Sequence, residues 1–200
     1  NVNIGDFSGY FLKGFRLEGL VDGVIKIEDP NNRFNVRTEN LKGRQVWFDK
    51  DSVGNIEGAM SYISKTGQLT GDFANLDPEH KLKLGLSLNL KDKEKRKEDR
   101  LTFIVDNYFA NYLEKFIGTL FTDISGFVTG RLDMLGTGKN VQYIGKVKMK
   151  DAGMKVIFTQ CYYKIADDEI ELKPNSIEFG NMVMIDTVTK NPIYLSGSIE

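Results

Sequence analysis

The chain has 200 residues, 40% of them hydrophobic, with 27 basic and 28 acidic side chains and a formal net charge of −1. That length holds one large all-β domain or two small ones, and the near-cancelled charge removes the electrostatic footprint of a dedicated nucleic-acid binder. A single cysteine, Cys161, excludes an intrachain disulfide framework, and no run of about 18 apolar residues offers a membrane-spanning helix.

After an ambiguous start, Val24 to Glu28, Phe34 to Thr38, Gln45 to Phe48, Ile56 to Ile63 and Leu69 to Ala74 read as short strands. Turn-forming stretches at Asp29-Pro30-Asn31-Asn32, Asp49 to Gly54 and Lys65-Thr66-Gly67 separate them, a spacing that suits a meander. Lys81 to Leu90 carries the purest alternation. Leu82, Leu84, Leu86, Leu88 and Leu90 share one face of an extended strand, opposite Lys81, Lys83, Gly85, Ser87 and Asn89.

Asp92 to Arg100 is almost wholly charged with mixed signs and reads as a solvated loop between two halves, 1–91 and 101–200. Leu101 to Val105 resumes a strand. The period then changes: Tyr108, Phe109, Tyr112, Leu113, Phe116, Ile117, Leu120 and Phe121 recur at spacings of three and four. That pattern predicts an amphipathic helix over Asn107 to Phe121, with Asn107 as its cap.

Further strands follow at Phe127 to Leu135, Tyr143 to Lys150, Met154 to Cys161, Glu169 to Leu172, Ser176 to Phe179, Met182 to Ile185 and Ile193 to Ile199. Within them Val128, Leu132 and Met134 share a face, as do Val147 and Met149 against Lys146, Lys148 and Lys150. The fold class expected is mainly β, a curved or rolled antiparallel sheet, gutter-like or a flattened barrel, with one amphipathic helix.

An aliphatic-x-glycine phrase recurs at Leu17-Glu18-Gly19, Ile56-Glu57-Gly58, Leu69-Thr70-Gly71, Ile124-Ser125-Gly126 and Leu195-Ser196-Gly197, with Tyr143-Ile144-Gly145 close to it. Glycine inside a strand marks a bulge, a bend or a close approach of backbone. The chain begins without methionine and closes on a strand pattern, and so reads as a piece of a longer protein.

Catalytic and metal chemistry finds little footing. His80 is a lone histidine in a turn, and Gly138-Lys139 lacks the glycine and the hydroxyl residue that a phosphate loop needs. Asp49, Asp51 and Gly54 match a calcium loop in part, but Val53 and Met60 stand where oxygen ligands belong. Asp167, Asp168 and Glu169 are adjacent in a turn and point apart, which suits turn chemistry better than hydrolysis. No catalytic, metal or cofactor residue is assigned, and no cofactor is expected. Trp47, the single tryptophan, reads as a core residue.

One ordered set of phrases carries a resemblance. Ile124-Ser125-Gly126-Phe127-Val128-Thr129-Gly130-Arg131-Leu132, Gly145-Lys146-Val147-Lys148-Met149-Lys150-Asp151-Ala152, Tyr163, Asp168-Glu169-Ile170, Ile177-Glu178-Phe179, Ile185-Asp186 and Leu195-Ser196-Gly197 follow the helix-like stretch. Over roughly Leu101 to Glu200 this resembles the carboxy-terminal domain of the TamB family, especially its Bacteroidetes-type members. The stretch Asp186-Thr187-Val188-Thr189-Lys190-Asn191-Pro192 departs from the family pattern, and the last strand is short.

The resemblance implies a periplasm-spanning envelope protein of Gram-negative bacteria, AsmA-like, anchored in the inner membrane by a segment outside this chain. Its implied work is phospholipid movement in outer-membrane biogenesis and, with an Omp85-type outer-membrane barrel partner, protein translocation and assembly. One-sided strands can close as a core or fold into a trough that accepts phospholipid acyl chains, each CH₂ contributing about 0.8 kcal/mol, and periodicity does not decide between the two. The residues expected to line such a trough are Leu82, Leu84, Leu86, Leu88, Leu90, Val128, Leu132, Met134, Val147 and Met149. A non-enzymatic lipid conduit is the leading reading. A scaffold that accepts an incoming β-segment at an open strand edge is the second, and an all-β carbohydrate-binding module the third.

Overall fold

The computed structural model describes residues 2–3, 5–6, 16–30, 34–48, 50–92, 94–136 and 141–199. Thirteen strands form one antiparallel sheet. They are β1 (Val2–Asn3), β2 (Leu17–Glu28), β3 (Asn35–Phe48), β4 (Asp51–Ile63), β5 (Gln68–Asn75), β6 (Lys81–Asn89) and β7 (Arg100–Phe109). After them come β8 (Phe121–Leu135), β9 (Gln142–Val156), β10 (Tyr162–Ile165), β11 (Glu169–Lys173), β12 (Ser176–Asp186) and β13 (Pro192–Ile199). Strands β1 to β9 are neighbours in chain order, as short connections dictate. The chain divides into two compact units, Asn1–Phe103 with Met134–Val141, and Ile104–Asp133 with Gln142–Glu200.

In the first unit the strands are longer than their apolar runs. The expected strands at Phe34 to Thr38 and Gln45 to Phe48 are the two ends of β3, which passes through Asn40 (φ 51°) and Gln45 (φ 50°) instead of breaking. Register against β4 slips near both residues. Each is a bulge, where one extra residue bends the strand without ending the ladder. Thr38 sits beside the first bulge and occupies both groups of Met60, accepting its N–H at 2.8 Å and donating to its C=O at 3.2 Å. The charged stretch lies within this unit and contains a 3-10 turn, Lys95–Glu98, that buries no residue. Trp47 is 43% exposed, opposite Glu18 and Ser52 on the polar side of the sheet. It is not a core residue, because the alternation that buries Val46 turns its neighbour outward.

The second unit has a densely packed interior. On β9, Val147 and Met149 are buried and so are Ala152 and Met154, an odd step that alternation forbids. Asp151 (φ 49°) supplies the extra residue. The same slip occurs from Ile165 to Ile170 across the break between β10 and β11, and from Phe179 to Met182 on β12. These positions lie on one line across the sheet. Tyr163 is opposite Met154 and Asp186, while Ile170 is opposite Val147 and Phe179, a step of seven residues on every strand. Strands β10 and β11 are therefore two lengths of one strand between β9 and β12, which is why the pairings β9–β10–β12–β11 close into a ring.

The backbone groups freed along this line are satisfied, as burial requires. Asp167 Oδ1 accepts the N–H of Asp151 at 3.3 Å, the Asp168 carbonyl accepts that of Met149 at 2.7 Å, and Val183 accepts that of Ala166 at 3.1 Å. Asp167 and Asp168 thus serve the bend.

The amphipathic helix expected over Asn107 to Phe121 is not formed. Strand β7 continues through Tyr108 and Phe109, and β8 opens at Phe121. Between them lie a 3-10 turn, Ala110–Leu113, and a single α-helical turn, α1 (Glu114–Ile117). Aromatic side chains favour strands, and Asn107 (φ 50°) takes a bulge conformation in place of a cap, its N–H donating to Thr129 Oγ1 at 3.0 Å. Ala110, Leu113 and Ile117 keep helical spacing toward the interior. Glu114 closes the connection by accepting the N–H of Ile124 at 2.7 Å.

Candidate functional site

Cross-strand register assembles one apolar face in the first unit. Leu84, Leu86 and Leu88 of β6 stand opposite Phe73, Gly71 and Leu69 of β5. Those three stand opposite Gly58, Met60 and Tyr62 of β4, and Tyr62 and Gly58 stand opposite Val36 and Leu41 of β3. Residues directly opposite share a face. Leu82 heads the row, and Leu90 lies just past the strand, its N–H bonded to Gly67 C=O at 2.8 Å. The other side carries Lys81, Lys83, Asp72 and Glu57, all exposed.

The glycines of the recurring phrase explain how this face stays smooth. A side chain at Gly71 would meet the Phe73 ring at 2.9 Å and Leu86 at 3.3 Å, and one at Gly58 would run into the Asp72 carbonyl oxygen and meet the same ring at 2.5 Å. Phe73 lies across both, so glycine provides the room in which a large neighbour lies flat.

Burial separates the residues expected to line a trough into two groups. Leu82, Leu84, Leu86, Leu88, Leu90 and Met134 are half-buried. Val128, Leu132, Val147 and Met149 are 3%, 4%, 1% and 0% exposed within the second unit. The last four are packed among protein side chains with no surface left for an acyl chain. They are core positions, whereas the leucine row and Met134 keep solvent contact. The Lys95–Glu98 turn of the first unit buries nothing.

A concavity of about 430 Å³ lies on the second unit and is bordered by Lys146, Asp168, Glu169, Glu171, Glu178 and Phe179. Lys146 bonds Glu169 at 2.6 Å and Lys173 bonds Glu178 at 2.6 Å. Each carboxylate raises the pKa of its lysine through that hydrogen bond. This recess is polar and open. No group of three or more histidine, cysteine or acidic side chains is placed to hold a metal ion among the described residues. Gly138-Lys139 and Asp49 lie outside the described residues.

No family model, curated protein or solved structure matches this chain. The case for function therefore rests on the residues themselves.

The sequence pattern missed Phe103 and Leu101 of β7, which alternate with Thr102 beside Gly85 and so join the leucine side. Their run was legible as a strand, but its facing residues become known only through the register. Asp99, just before β7, is buried and accepts the N–H of Asn89 at 2.5 Å, while its carbonyl accepts that of Gly136 at 2.8 Å. Burial raises its pKa, against that hydrogen bond. It ties the exit of β6 to the entry of β7.

Asp186 titrates the other way. Its carboxylate accepts the N–H groups of Thr189 and Val188, at 3.0 and 2.7 Å, and those bonds lower its pKa. A depressed folded pKa contributes stability above the unfolded value, about 4, and that contribution is lost as pH falls through the folded value. Asp186→Ala is expected to lower the melting temperature at pH 7. The difference from the parent should shrink as pH drops below 4, a trend that melting curves at several pH values check directly.

Proposed function

We propose that this chain is a non-enzymatic segment of a lipid conduit in the envelope of a Gram-negative bacterium. On this reading the half-buried leucine face of the first unit receives phospholipid acyl chains. The observation that carries the reading is the contrast in burial: interior positions of the second unit are sealed at 0–5% exposure, while Leu82, Leu84, Leu86 and Leu88 keep solvent contact along a whole strand. A continuous apolar face that retains access to solvent marks an interaction surface more often than a core. The ordered phrases that resemble the TamB family, with their implied periplasmic location, support the same reading.

The test is capture of phospholipid by the 200-residue chain, read by native mass spectrometry. The parent is expected to carry bound phospholipid, and Leu86→Asp to lose it while its circular dichroism stays that of the parent. A parent that captures none would refute the conduit.

One observation favours a second reading, a scaffold that accepts a β-segment. Strand β13 is largely exposed, pairs with β12 alone among the described residues, and carries no charge from Pro192 to Ile199. Edge strands usually bear lysine or other guards against pairing. Here Pro192 is the single such device.

A further inference from the structure

We propose that the end of the second unit formed by the β9–β10 and β12–β13 turns is a membrane-docking surface. In it Phe158 and Val188 enter the interfacial layer of an anionic bilayer. Phe158 is 95% exposed and Val188 86%, far beyond any other large apolar side chain in the described residues except Tyr194. Strand β10 pairs with both β9 and β12, so the turns at 157–161 and 187–191 emerge side by side at one end of the sheet. Ile157, 37% exposed, adds to the same tip.

The two tips are joined and braced. Thr187 donates both its N–H and its Oγ1 hydroxyl to the Tyr162 carbonyl, at 3.2 and 3.0 Å. Asp186 holds the N–H groups of Val188 and Thr189, and the Lys190 N–H returns to the Asp186 carbonyl at 3.0 Å. In the other turn Gln160 donates its N–H to Val156 at 2.9 Å and its side-chain amide to Ile157 at 2.6 Å. Neither apolar side chain is free to fold back by rearranging its turn.

Charge selects the partner. Residues 157–161 and 187–191 contain no acidic side chain, and their one charge is Lys190. Lys155 lies opposite Tyr162, and exposed Lys164 opposite Ile185, just behind the tips. Asp186, the acid that opens the second turn, is turned to its own backbone. A stable protein interface buries about 800 Å² per partner on a complementary surface, which two projecting tips do not offer. A few apolar side chains backed by lysines are what an anionic bilayer interface takes up. This surface lies in the second unit and makes no use of the leucine row.

Vesicles of phosphatidylcholine and phosphatidylglycerol at 3:1, with pure phosphatidylcholine as control, test the assignment by co-sedimentation. The chain is expected to sediment with the anionic vesicles, and Phe158→Ser with Val188→Ser to lower that affinity about ten- to hundredfold. Phe158→Trp in a Trp47→Phe background reads the tip without disturbing its shape. Its emission should shift to the blue on adding anionic vesicles, and Lys164→Glu with Lys190→Glu should weaken the effect. Unchanged emission, equal sedimentation of the serine double variant, or a self-association that the double variant abolishes without any vesicle binding would each overturn the proposal. Leu86→Asp separates the two ideas, since it should lose captured phospholipid and still sediment with vesicles.

Discussion

Met149→Asp is expected to unfold the second unit, whereas Leu86→Asp in the first is expected to melt close to the parent. Met149 is fully buried between Val147 and the Asp151 bulge, and alternation turns its neighbours Lys148 and Lys150 to the opposite, exposed face. An unpaired buried charge costs several kcal/mol against a total stability of about 5–15 kcal/mol. With about 4–8 °C lost per kcal/mol in a unit of this size, the melting temperature should fall by tens of degrees or the transition disappear. Leu86 keeps contact with solvent, so a carboxylate there can hydrate. Melting both variants side by side checks the contrast, and equal collapse of the two would mean that the leucine face is also a closed core.

The second large effect concerns Gly145, where a glycine of the recurring phrase is required by backbone and not by a neighbouring ring. It has φ 149°, and a Cβ there would run into the Arg131 carbonyl oxygen and approach the Leu132 Cα at 2.9 Å. Gly130 is its counterpart, at φ 154° against Lys146 and Val147. Strain of this kind costs about 1–3 kcal/mol, and forcing backbones apart adds about as much again. Gly145→Val should therefore destabilise the chain by about 3–5 kcal/mol, several times the effect of Gly180→Val, where nothing stands within 4 Å of the added carbon. Chemical denaturation of the two variants decides it. Equal midpoints would remove close backbone approach as the reason for the phrase.

Much of the sheet was legible because period two survives wherever one face is apolar, as in Lys81 to Leu90. The breaks were less so. Sequence reading ended strands at Thr38, Lys150 and Phe179, but in each case the chain runs on through a bulge, at Asn40, at Asp151 and beside Gly180. A bulge and a turn use the same residues, and only the partner strand tells them apart. Strand β10 was overlooked because its residues, Tyr162 to Ile165, are few and alternate for barely one pair.

The helix expected over Asn107 to Phe121 failed for a related reason. Eight apolar residues at spacings of three and four also fit two strand ends flanking one buried turn, and strand pairing took Tyr108, Phe109 and Phe121. For the candidate site, alternation identified which residues share a face but not which faces are covered. Val128 and Leu84 look alike in sequence, and only the packing around them separates core from open surface.

The central claim, that the leucine face of β6 meets acyl chains, is tested most directly by a photocrosslinking scan. Benzoylphenylalanine is placed in turn at positions 82 to 88 of the chain, which is then irradiated with phospholipid. Lipid adducts are expected at 82, 84, 86 and 88 and absent at 83, 85 and 87, repeating the alternation of the strand. Adducts at neither set, or equally at both, would contradict it.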